Sequence, residues 1–134
     1  MKIVRCRLAE EAAAITLVSA ALILVMLMTG AVLFDVMVVY RAKGEAQTAA
    51  DAAAKAAGLE LTPCFGVGNN PEVAAARFAA MNGAQLLSVD TQGDALRGFV
   101  RVRVAKICHP LFISFGRTIP VTAMATVYLD PFGE

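Results

Sequence analysis

Proline is missing from Ala12 to Tyr40, and across that stretch the one formal charge is Asp35. With neither breaker nor charge to stop it, the run can cross a hydrocarbon core, which takes roughly 20 helical residues at 1.5 Å each. A secretory signal peptide also begins with basic residues, as Lys2, Arg5 and Arg7 do here, but its apolar core is only about 7 to 15 residues long. The run therefore reads as a retained anchor.

Functional chemistry is equally sparse. The chain has 1 histidine, His109, and 3 cysteines, Cys6, Cys64 and Cys108, with no C-x2-C or H-x3-H spacing to hold a metal. Gly66 and Gly68 are followed by no Lys-Ser/Thr pair, which excludes a phosphate loop. A net charge of +1, without basic clusters or interleaved aromatics, gives no signal for nucleic acid. Asp90 and Asp94 fall in or near an expected hairpin and do not form a catalytic carboxylate pair. No cofactor, metal or small-molecule substrate is expected. Outside the apolar third, about 75 to 90 residues remain, enough for one small domain.

What the sequence does have is one long helical stretch, Leu8 to Gly58. The expected division is a cytoplasmic tail over 1–11, a transmembrane helix over 12–40 and an extracytoplasmic part over 41–134. Ala12, Thr16 and Ala20 recur at four-residue steps and form a small-residue ridge suited to close helix packing. Asp35 is expected at the outer edge of the span as a hydrated carboxylate near Arg41. Beyond it, Gln47, Asp51 and Lys55 share a face, with Asp51 and Lys55 in the favourable order for a helix pair. Alanines at 46, 49, 50, 53, 56 and 57 leave the helix narrow, and Gly58 is a plausible C-cap.

A second helix is expected after Asn70, with Pro71 at its first position and Asn82-Gly83 closing it; Ala74, Phe78 and Met81 would be its buried face. Three strands follow. Leu87, Val89 and Thr91 alternate in the first, and 92–98 reads as a hairpin loop. Val100, Val102 and Val104 alternate with Arg101 and Arg103 in the second, which pairs with a third carrying Val121, Ala123, Ala125, Val127 and Leu129. The fold class is α+β: a long N-terminal transmembrane helix continuing into a small pilin-like head with a second helix and a three-stranded antiparallel sheet. Leu111, Phe112, Ile113 and Phe115 are expected to fold back over that sheet; a subunit contact or a membrane-surface patch is the alternative.

Phe34-Asp35-Val36, then Tyr40-Arg-Ala-Lys, then Gln47-Thr-Ala-Ala-Asp-Ala-Ala-Ala54 resembles the membrane-to-periplasm helix of TadE/TadG-like proteins of the tight-adherence (Flp) pilus assembly system. The order of later features is similar to short actinobacterial members. The resemblance implies Asp35, Gln47, Ala49, Ala50 and Asp51 as the family motif, and Glu10 and Glu11 at the inner mouth of the span as a possible subunit contact. It implies a non-catalytic pseudopilin-like or minor-pilin-like subunit in the cell membrane, N-terminus cytoplasmic and C-terminal domain extracytoplasmic. Its partners would be other pilus-assembly membrane subunits or itself. One feature departs from pilin-like members: Arg5 or Cys6 stands where a prepilin peptidase would need Gly, so cleavage there is not expected. In an oxidising compartment Cys64 and Cys108 are expected to form a disulfide. The alternatives are a membrane-anchored thiol or redox protein and a regulatory anchor.

Overall fold

The computed structural model describes residues 2–62, 70–94, 97–114 and 116–129, with side chains described from Ala13 onward except at Asp94 and Arg97. Helix α1, Lys2–Leu61, is uninterrupted and about 90 Å long at 1.5 Å per residue. It overruns both expected ends. Gly58 is not its cap but an interior residue against which β3 (Ile119–Leu129) packs: a Cβ there would lie 3.3 Å from Val127 Cγ1.

The two halves of α1 differ in what they bury. From Ala13 to Phe34 nearly every side chain is exposed, including Leu17, Leu24, Met26 and Leu33. This is the one helix among the described residues long and apolar enough to cross a membrane. Thr29, within it, returns its hydroxyl to the Val25 carbonyl at 2.8 Å, so its polar group is satisfied inside the helix. In the second half, Ala42, Ala46, Ala49, Ala50, Ala53, Ala54 and Ala57 are buried. Their steps of three and four place them on one face.

That face covers a sheet of order β1-β2-β3, built from β1 (Gln85–Asp94), β2 (Arg97–Cys108) and β3. Both pairings are antiparallel, with Val102 facing Val89 on one side and Ala125 on the other. Val100, Val102 and Val104 of the central strand are fully buried, as the alternation predicts, and Ala123 and Ala125 lie beside them. Arg101 and Arg103 point the other way, with the Arg101 guanidinium 5.2 Å from the Phe99 ring centre.

Helix α2, Pro71–Met81, completes the cover, ending at Asn82 and a left-handed Gly83 (φ 67°) as expected. Its buried residues are Ala75 and Ala79, while Phe78 and Met81 are exposed. The face is therefore turned from the expected one, because alanines allow α2 to approach α1 more closely than Phe or Met would. The hairpin is also tighter than expected: pairing runs on to Asp94 opposite Arg97, so most of 92–98 is strand. A register shift between Leu86 and Ser88 puts Leu86 and Val89 against the core and leaves Leu87 exposed. In the β2–β3 connection, Leu111, Phe112 and Ile113 do not fold over the sheet; they are exposed, and their backbone turns instead toward α1.

Candidate functional site at the Asp35 anchor

Asp35 is fully buried, the one charged residue so enclosed among the described residues. Its Oδ1 accepts the backbone N–H of Leu111 at 2.8 Å, and its Oδ2 accepts those of Phe112 and Ile113, each at 2.5 Å. Three consecutive amides converging on a carboxylate form an anion-holding nest of the kind backbone turns make. Pro110 precedes them, is fully buried, and has no N–H to leave unpaired. Ser114 closes the turn by donating its hydroxyl to the Pro110 carbonyl at 2.8 Å. The expected hydrated carboxylate beside Arg41 is thus corrected: the loop amides take its place, and Arg41 pairs elsewhere.

Arg41 Nε reaches Glu45 Oε1 at 2.9 Å, and Lys106 Nζ of β2 reaches Glu45 Oε2 at 2.7 Å. The Lys106 hydrogen bond first, then that from Arg41, holds the Glu45 carboxyl below its usual range. An open cleft of about 400 Å³ lies beside this trio, lined by Val38, Ala42, Ile107, Cys108 and His109 among others. His109 is exposed. Among the described residues no three His, Cys, Asp or Glu side chains cluster in a way that could hold a metal ion.

Higher on α1, Gln47 Nε2 donates to Asp51 Oδ1 at 3.1 Å and to the Met124 carbonyl of β3 at 3.2 Å. Ala49 and Ala50 are completely buried against the sheet. The residues Gln47, Ala49, Ala50 and Asp51 therefore form a helix–sheet seam, in which small side chains set the spacing and one amide fixes the register. Asp35 secures the lower end of that seam. Thr16 and Ala20 lie exposed on the apolar half. The side chains of Glu10, Glu11, Ala12 and Cys6 lie outside the described residues, as does Cys64.

Cys108 is a buried free thiol that donates to the Ile119 carbonyl at 3.3 Å. It sits at the Asp35 end of the sheet, bordering a cleft shared with Val38 and Ala42. The last turn of α1 is at the other end, where Gly58 meets Val127 and Leu129. From Ala42 to Thr62 the helix rises about 30 Å. Of the expected Cys64–Cys108 pair, the structure describes Cys108 alone.

Residues 13–70 match the model of a family described as "Putative Flp pilus-assembly TadE/G-like". Over those residues the long helix is similar to the TadE/G-like family. No curated protein and no solved structure matches the chain. The TadE/G-like match covers 58 of the 134 residues. It spans Asp35, Gln47, Ala49, Ala50 and Asp51 but stops before α2, so the sheet and the amides that hold Asp35 lie beyond it. Sequence reasoning found the acceptor and missed the donors. Backbone amides leave no mark on residue type; the sole sign was an apolar Leu-Phe-Ile run directly after a proline.

Proposed function

We propose that this chain is a non-catalytic, pseudopilin-like or minor-pilin-like subunit of a tight-adherence (Flp) pilus assembly system, acting by packing its helix against partner helices in the cell membrane. The observation that carries the reading is the division of α1: an exposed apolar half free to meet lipid or other helices, and an alanine-faced half locked to a small α+β head. The TadE/G-like match adds the system in which such a part works. The N-terminus lies in the cytoplasm and the head outside, which accords with Lys2, Arg5 and Arg7 before the run. The burial of Cys108, only 5% exposed, speaks against the thiol-chemistry alternative, since a reactive cysteine needs access.

The test is photo-crosslinking from Thr16 and Ala20 in cells, with mass spectrometry of the products and electron microscopy of pili. Adducts to Flp-assembly membrane subunits or to a second copy are expected, and Ala20→Leu should reduce their yield while insertion is kept. Normal pili in a strain lacking the chain, together with no such adduct, would overturn the proposal.

A further inference from the structure

We infer that the β2–β3 loop is a membrane-seated wedge: Asp35 draws the loop tip against α1 so that Leu111, Phe112 and Ile113 enter the outer lipid leaflet. This rests on the reading of α1 as a membrane anchor. The run from Ala12 to Tyr40, charged only at Asp35, is about 43 Å long at 1.5 Å per residue, which matches a whole bilayer with its headgroups. Centred on Met26, a hydrocarbon core of about 30 Å covers roughly residues 16 to 36. Asp35 then lies at the outer boundary of the core, not above it.

A bare carboxylate at that depth would be costly, and a bare loop backbone equally so, because lipid offers no hydrogen-bond partner. The structure answers both at once. Asp35 is fully enclosed, and the three amides it accepts are those of the three residues whose side chains face outward. Ser114 satisfies the remaining Pro110 carbonyl from within the turn. Leu111, Phe112 and Ile113 are 63%, 53% and 52% exposed, level with exposed Phe34, Val36 and Met37 of α1. Loop and helix together make one apolar collar. Immediately above it stand Tyr40, Arg41 and Lys43, all exposed, in the order of aromatic then basic residues that suits a headgroup layer. A water-facing loop would have no reason to pair outward apolar side chains with inward-satisfied amides.

The chain contains no tryptophan, so a single indole reports its own surroundings. Full-length protein carrying Phe112→Trp is reconstituted in phosphatidylcholine–phosphatidylglycerol vesicles, with and without brominated acyl chains. The reference is Tyr128→Trp, at a site 77% exposed and about 35 Å up the helix from Asp35. At position 112 the emission should be blue-shifted, strongly quenched by the brominated chains and weakly by aqueous iodide; at 128 the order should reverse. Equal iodide quenching at both sites, with no effect of bromine, would overturn the wedge while leaving the anchor intact. Shielding from both quenchers that grows with the protein-to-lipid ratio would assign the patch to contact between copies and overturn it as well. Failure of the protein to float with the vesicles would instead sink the anchor reading on which the wedge depends.

Discussion

Asp35 joins two problems that would each be unfavourable alone, a carboxylate near lipid and three loop amides turned away from water. Because both oxygens accept, replacing one with a donor should be felt locally. Asp35→Asn keeps the shape but sets an NH2 group against backbone N–H donors, and hydrogen bonds to a charged acceptor are the stronger kind. The amides of Leu111, Phe112 and Ile113 should then exchange with deuterium on the order of tenfold faster, while those of β2 around Val102 keep their protection. Equal protection of the loop in both proteins would show that Asp35 is not what holds it. The residue was visible in the sequence as the lone charge of the run. Its role was not, since an isolated aspartate beside Arg41 suggests a side-chain partner before a backbone one.

At the scale of elements, the alanine face of α1 explains why so small a head can form around so long a helix. Small side chains let the helix axis approach the sheet closely, so that Val100, Val102 and Val104 are enclosed without large partners. The same closeness leaves no room for growth. Ala53→Leu adds volume where exposure is zero and should destabilise the head by about 1–3 kcal/mol. Thr48→Leu, on the exposed side of the same helix, should stay within about 0.5 kcal/mol of the parent. Thermal melts of the full chain in detergent distinguish them, and matching shifts would argue against a packed seam. The strands were legible here because β2 alternates Val with Arg and β3 sets Val121, Ala123, Ala125, Val127 and Leu129 against Thr122, Met124, Thr126 and Tyr128. The buried face of α2 was not: with Ala at 74, 75, 76, 79 and 80, size pointed to Phe78 and Met81, whereas the neighbouring helix selected Ala75 and Ala79. Likewise the bulge after Leu86 reverses which of two adjacent leucines faces inward, something a strict two-residue alternation cannot show.

Across the whole molecule, α1 runs antiparallel to β2 and parallel to β3, and that orientation decides where Cys108 lies. Lys106 meets Glu45 near the foot of the head, Gln47 meets Met124 above it, and Gly58 meets Val127 near the top. Cys108 therefore belongs to the foot, beside the Asp35 anchor, while the chain leaves α1 at the top. The head is closed by the seam and the Asp35 nest. Cys108 should accordingly react with maleimide slowly in the native protein, where it is 5% exposed, and completely once the head is unfolded without reductant. Rapid maleimide labelling of the native protein would mean that the foot of the head is open to solvent, which would overturn the burial of Cys108 described here.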